Sequence, residues 1–411
     1  MANTLLERLR SDDKKGLFEQ SQTSINYPTG FMPFDYRNGY RVEVRNDNEE
    51  LIDNYAAIGI QGGTFVTVIG KSGTAKTTFI AQAAYNIVRP FEDNAFVIHY
   101  DLEQVLTYTR IKNITGASQI ALKDKYIIRQ EKNYIEDIFD SIVKICNVKD
   151  ANKKEFMYDT GLLDEFGEKI KAFVPTVIII DSIPTLTSKD SDDEMKGSTE
   201  QMRKAKELKQ FYSKLMPLIK TYNITVFAVN HINVKMEMNA FTKTQPQVMY
   251  MKVDEAVPGG NAPIYYANNL LKFVSSTKFN EEDNGFDGFL IRAEFLKSRS
   301  NKAGKSINMV YNQLTGFDPI LTLYQFAEDN DLVDGRNPYR YFKHNKDVKF
   351  DSRKFRKAFL ENDAVRIAIT EATKPILEDM LSFVKEDDKK ADNYSETLFN
   401  LFNSYENDNT L

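Results

Sequence analysis

Eight consecutive residues, Gly70-Lys71-Ser72-Gly73-Thr74-Ala75-Lys76-Thr77, place two glycines, a lysine and a hydroxyl where a phosphate chain could be held. The β-branched run Thr64-Phe65-Val66-Thr67-Val68-Ile69 precedes them and Thr78 to Val88 has helical character, so the loop lies between a strand and a helix. In that context backbone N–H groups and the helix N-terminus cradle phosphates. Lys76 is placed to reach β and γ phosphates and Thr77 to hold Mg2+ through its hydroxyl, with Thr78 next in the run. The cofactors implied are ATP and Mg2+. The second glycine of the usual pattern is replaced by Ala75. Alanine is tolerated there in right-handed backbone and is costly at positive φ.

Two carboxylates extend the chemistry. Asp181 ends the most apolar stretch of the chain, Val177-Ile178-Ile179-Ile180, where a carboxylate would hold Mg2+ through water. Taken alone, an aspartate there also fits an ordinary turn. Glu103 follows another apolar stretch, Ala95 to Tyr100, and is a candidate general base for an attacking water; a solvated loop glutamate would look the same. Parallel strands present their carboxyl ends on one edge, so the loop, Asp181 and Glu103 are expected to converge.

The elements that must position these groups alternate. A helix is expected around Tyr134 to Asn147, and another over Glu200 to Tyr222 with Leu208, Phe211, Tyr212, Leu215 and Ile219 on one face. Strands follow at Thr225 to Val229, Ala267 to Ser275, Gly288 to Lys297 and Ser306 to Tyr311. That rhythm predicts an α/β fold with a mostly parallel sheet covered on both faces. Residues 31–60 read as irregular, and from about Asp318 the pattern turns helical. Asn233 to Gly260 has no clear period and carries Pro246 and Pro258; loops of that length in a compact domain are usually functional or disordered. The expected organisation is a small N-terminal segment, 1–60, a core, 61–320, and a helical C-terminal region, 321–411, with an acid-rich tail from Glu386. Within the first segment, Thr4 to Arg10 reads as a short helix.

Composition sets bounds. The chain has 411 residues, 42% hydrophobic, with a formal net charge of −5. It is not a basic coat for nucleic acid, so any such contact must come from a local basic patch. The one cysteine, Cys146, excludes an internal disulfide and suits a reducing, cytoplasmic setting. No apolar run approaches the roughly 20 residues of a membrane span, and the polar N-terminus shows no secretory signal, so no membrane partner is expected.

The order of the remaining motifs narrows the class. Asn230-His231 ends a predicted strand, the long irregular segment follows, and Gly259-Gly260-Asn261-Ala262 closes it. With the phosphate loop, Glu103 and Asp181, this arrangement over roughly residues 20–335 resembles RecA-type recombinases, and among them the UvsX-type recombinases of tailed phages. The resemblance implies a RecA-like P-loop NTPase core and an ATP-dependent strand-exchange activity. It implies a helical filament on single-stranded DNA that pairs with homologous duplex DNA, aided by mediator and single-strand-binding proteins. His231 would sense the γ-phosphate, and Tyr108, with Arg110 nearby, would stack on adenine. Lys297 and Arg299 would reach the nucleotide of the neighbouring subunit. The segment around Leu17-Phe18 would dock on the next protomer. Two DNA loops are implied. The first, Ser182 to Ser198, holds Lys189, Met195 and Lys196 and leads to Arg203 and Lys204, with an awkward acidic run from Asp190 to Glu194. The second holds Lys235, Met236, Met238, Phe241, Lys243, Met249, Tyr250, Met251 and Lys252, closed by Gly259, Gly260 and Asn261. Basic residues interleaved with aromatic and apolar ones suit a single strand.

Three other readings share the core. A ring-forming motor such as a replicative helicase would carry an N-terminal collar, for which about sixty residues before the loop leave little room. A regulator that binds ATP without turnover would suit Ala75, but not Glu103. A scaffold filament would need no DNA.

Overall fold

The computed structural model describes residues 24–46, 48–91, 94–131, 134–189, 198–234, 245–279 and 285–382. Its first layer is built before the phosphate loop. A short helix α1 (Met32–Arg37) leads into a hairpin of β1 (Tyr40–Arg45) and β2 (Leu51–Ala57). Met32–Arg37, Tyr40–Arg45 and Leu51–Ala57, within the stretch read as irregular, are therefore regular elements. Phe31 and Phe34 are buried against Phe79, and Phe34 also meets Phe295. The alternation Arg41-Val42-Glu43-Val44-Arg45 buries its two valines.

The core follows. Strand β3 (Phe65–Gly70) feeds helix α2 (Lys76–Val88), then β4 (Phe96–Asp101), α3 (Tyr108–Thr115), α4 (Gln119–Lys125), β5 (Tyr126–Arg129) and α5 (Ile135–Ala151). A second hairpin, β6 (Met157–Leu163) and β7 (Lys169–Phe173), precedes β8 (Thr176–Asp181), α6 (Ser198–Thr221) and β9 (Ile224–His231). The two-residue strands β10 (Asn233–Val234) and β11 (Glu255–Ala256) pair with each other, and the short helix α7 (Ala262–Tyr265) leads to β12 (Asn269–Phe279). Strands β13 (Gly288–Ser298), β14 (Lys305–Asn312) and β15 (Gly316–Phe317) complete a nine-stranded sheet in the order β15-β14-β13-β12-β3-β9-β8-β4-β5. The pairs from β12 to β5 are parallel and those from β12 to β15 antiparallel.

The physical cause of the parallel half is plain in β8. Its five β-branched residues favour extended chain, and all six residues of the strand are buried. Val177 and Ile179 face α2, while Ile178 and Ile180 face α5 and α6. A strand covered on both faces needs no polar alternation, and each such isoleucine contributes about 2 kcal/mol by burial. The face of α6 expected from spacing, Leu208 through Ile219, is the one that packs.

Beyond the sheet, α8 (Pro319–Asp329), α9 (Phe355–Glu361) and α10 (Asp363–Asp379) supply the expected helices. Between α8 and α9 lies a three-stranded antiparallel sheet, β16 (Val333–Arg336), β17 (Tyr339–Phe342) and β18 (Asn345–Asp351), which helical patterning alone does not announce. It forms around Phe342, Phe350 and Phe355, whose rings meet one another, and Phe350 and Phe355 also meet Tyr324 of α8.

Candidate nucleotide site and its neighbouring loops

Register alone brings the site together. His231 pairs with Gly70, Ile180 with Ala228, and Asp181 with Asp101. The carboxyl ends of β3, β9, β8 and β4 therefore form one ledge carrying the phosphate loop, His231, Asp181 and Glu103.

Lys76 opens α2 and is buried. Its Nζ donates to the carbonyls of Gly70 (3.0 Å) and Lys71 (2.8 Å) across the loop, and Thr74 Oγ1 donates to Lys71 O at 2.9 Å. Burial lowers the Lys76 pKa, while Asp181 and Glu103 oppose that shift. Ser72 and Gly73 form the exposed crest of the loop, with Gly73 at φ 77°. Ala75 has φ 58° and ψ 25°. It is thus in the left-handed region, the costly alternative for a residue with a Cβ, at roughly 1–2 kcal/mol.

Thr77 Oγ1 donates to Asp181 Oδ2 at 2.5 Å. The hydroxyl expected to hold Mg2+ and the carboxylate expected to hold its water are thus already adjacent. Among the described residues no group of three or more His, Cys, Asp or Glu side chains is gathered as a metal cage. One hydroxyl and one carboxylate beside a phosphate loop fit Mg2+, which keeps waters and takes phosphate oxygens. The residues present therefore fit a magnesium–triphosphate.

Glu103 Oε1 accepts from Ser182 Oγ at 2.9 Å and lies 3.4 Å from His231 Nε2. The turn that carries it is fastened below: Asp101 Oδ2 accepts from Leu106 N (2.8 Å) and from Gln130 Nε2 (2.7 Å). Ser182, Asp101 and Gln130 hold this turn by hydrogen bonds and are residues that sequence reasoning missed. Only the neighbourhood of Glu103 and Asp181 along the strand ends signals them.

Tyr108 is half exposed at the start of α3, where Thr107 Oγ1 caps the helix by accepting from Arg110 N at 3.1 Å. Arg110 reaches Thr78 Oγ1 (3.3 Å), the Tyr311 hydroxyl (3.5 Å) and the carbonyls of Gln313 and Leu314. It ties α3 to the phosphate-loop helix and to the turn between β14 and β15.

Lys297 and Arg299 stand apart from this ledge. They lie at the opposite edge, where β13 ends beside the start of β12. Lys297 Nζ donates to Ile264 O (2.9 Å) and Tyr265 O (2.8 Å), and Arg299 Nη2 donates to Tyr265 O (3.1 Å). Burial, with Arg299 adding to it, pulls Lys297 down to about 8. Neither residue joins its own subunit's phosphate loop.

The loops are only partly within the described residues. Asp190 to Glu194, Met195, Lys196, Lys235, Met236, Met238, Phe241 and Lys243 lie outside them, as do Thr4 to Arg10, Leu17, Phe18 and the tail from Glu386. Lys189 pairs with Asp137 (2.6 Å), and Arg203 pairs with Glu207 along α6 (3.6 Å). Lys204 donates to Pro184 O at 2.6 Å. Met249, Tyr250 and Lys252 are exposed; one edge of the Tyr250 ring lies close over Gly304. Met251 corrects the expectation of a DNA contact. It is 5% exposed and packs with Ile69, Val257, Ile264, Leu270 and Leu296, because a methionine fills an irregular gap well.

The closing end of the second loop is wired to the ledge. Asn230 Nδ2 donates to Pro258 O at 2.9 Å, and Asn230 Oδ1 accepts from His231 N at 2.8 Å. Glu255 pairs with Lys272 at 2.9 Å, both buried, and Lys272 neighbours Ile69 in the sheet. Gly259 and Gly260 have φ 89° and 74°, and they pass close to Leu208 and Ala205 of α6. Asn261 begins α7 and accepts from Gln247 Nε2 at 3.2 Å.

Residues 50–243 match the family model of the KaiC ATPase, just under half of the chain. With the sheet order and the phosphate loop between β3 and α2, the fold is that of a RecA-like ATPase core. No curated protein is significantly similar to the chain. Among the described residues no helix is long and apolar enough to cross a membrane.

Proposed function

We propose that the chain is an ATP-driven DNA strand-exchange recombinase that assembles as a helical filament on single-stranded DNA, similar to the UvsX-type proteins. The observation that carries this reading is the link from Asn230 and His231 to Pro258. The strand end beside the candidate catalytic glutamate is hydrogen-bonded to the segment that closes the candidate DNA loop.

Magnesium-bound ATP supplies a polarised γ-phosphoryl group. Lys76 places a cation at the mouth of the phosphate loop, and Thr77 and Asp181 present the two oxygens that suit the metal. Glu103 takes the proton of the attacking water, oriented by Ser182. His231 reports nucleotide state through Asn230 to Pro258, Gly259 and Gly260, an order-dependent switch for loop contacts. Lys297 and Arg299, remote from their own phosphate loop, serve the nucleotide of the adjacent subunit, as a finger in trans does. A head-to-tail contact that does not close generates a helix.

Electron microscopy tests this reading. With single-stranded DNA, Mg2+ and a slowly hydrolysed ATP analogue, helical filaments are expected. Closed rings would favour the motor reading, and absence of any assembly on DNA would overturn the recombinase reading.

A further inference from the structure

Beneath the nucleotide ledge, His99 Nε2 is one of several buried side-chain atoms with no hydrogen bond among the described residues. His99 lies in β4, fully buried, on the same strand face as Val97 and Asp101. Its Nδ1 is 2.8 Å from the Tyr126 hydroxyl. Tyr126 is itself fully buried. Burial chiefly, and Asp181 and Asp101 next, hold the phenol well above its usual range, so it keeps its proton; with Nε2 facing a carboxylate oxygen, Nδ1 is the ring nitrogen left to accept from it. A phenol that donates to Nδ1 leaves the imidazole proton on Nε2.

That Nε2 makes no hydrogen bond among the described residues. The carboxylate oxygen beside it is Asp181 Oδ2, at 3.8 Å. This is the oxygen that accepts from Thr77 Oγ1 at 2.5 Å. An apolar side chain would fill the same space without leaving a buried donor unpaired. A movement of roughly 1 Å brings Nε2 and Oδ2 to hydrogen-bond length.

We propose that His99 is a positioning residue for Asp181, with Tyr126 fixing its tautomer so that Nε2–H faces the carboxylate. The assignment rests on the reading of Thr77 and Asp181 as the metal-holding pair. Groups behind a ligand that orient it commonly shift metal affinity by about 10–100-fold. His99 acts through Asp181 and touches neither phosphate nor metal. Nothing in the spacing of the sequence marks it, because it sits inside an apolar strand.

The test uses the full chain with Mn2+ and ADP, following free Mn2+ by electron paramagnetic resonance and metal-free ADP binding separately. Wild type, His99→Phe, His99→Gln and Tyr126→Phe are compared, with thermal unfolding to report folding. The expected result is a half-saturating Mn2+ concentration raised about tenfold in His99→Phe, with metal-free ADP binding unchanged. His99→Gln, whose amide can still donate, recovers most of the loss, and Tyr126→Phe falls between. A merely structural role would not separate metal-dependent from metal-free binding. If His99→Phe does not fold, the other two variants carry the test. Wild-type Mn2+ dependence in His99→Phe, or in Tyr126→Phe where His99→Phe does not fold, overturns the role of His99 alone. Failure of the wild-type protein to bind Mn2+ with ADP overturns the nucleotide–metal reading and this assignment with it.

Discussion

Glu103 Oε1 lies 3.4 Å from His231 Nε2 while accepting from Ser182 Oγ at 2.9 Å. The candidate general base and the candidate γ-phosphate sensor thus share one carboxylate, and their roles separate by mutation. Glu103→Gln keeps the shape and removes the base. ATP binding should persist and turnover should fall by about 100-fold or more, as read by phosphate release. A rate within about tenfold of wild type would remove Glu103 from that role. His231→Ala should keep ATP binding but lose the change in single-stranded DNA affinity between ATP and ADP states, measured by fluorescence anisotropy.

Lys76→Ala removes the cation that spans Gly70 O and Lys71 O. ATP turnover and strand exchange should both disappear. Full turnover in this variant would refute the phosphate-loop assignment.

Ala75 sits at φ 58°. Ala75→Gly releases that strain but frees the unfolded chain, so the net gain in stability should be small, about 0.5–1 kcal/mol. Denaturant unfolding checks it; a loss of stability would show that the Ala75 methyl contributes more by packing than it costs in strain.

The strand ends that carry the candidate site were legible for a physical reason. A phosphate loop needs a strand and a helix around it, and Val177-Ile178-Ile179-Ile180 is too apolar to be anything but a covered strand. Asp181 and Glu103 followed from those strands. Other elements differ in how plainly their residues show them. Arg41-Val42-Glu43-Val44-Arg45 alternates in charge and apolarity and is readable as a strand. The sheet Val333–Asp351 has no such regularity; it depends for its packing on Tyr324 and Phe355, which lie in the helices before and after it. Met251 sits in an aperiodic stretch, where burial is decided by partners, Ile69 and Leu270 among them, that lie far away in sequence. Lys297 and Arg299 were legible as basic residues at a strand end, but not as donors to the carbonyls of Ile264 and Tyr265.

Lys149 offers a pH test away from the ledge. Its Nζ donates to Val174 O (2.7 Å) and Tyr222 O (2.9 Å), and burial brings it down to about 7. An unfolded lysine titrates near ~10.4. Between those values the unfolded chain holds the extra proton, so stability rises with pH. The stability of wild type over Lys149→Met should therefore be flat below pH ~7 and grow from there toward pH ~10. Denaturant titrations across that range measure it; a difference that shrinks with rising pH would contradict the burial of an amine.

ATP hydrolysis by the full chain, with and without single-stranded DNA at fixed Mg2+, tests the central claim most directly. A bare strand should raise the rate by about tenfold or more, and Lys297→Ala should abolish that rise while leaving ATP binding intact. Equal rates with and without the strand would contradict the claim that the nucleotide ledge and the DNA loops work as one device.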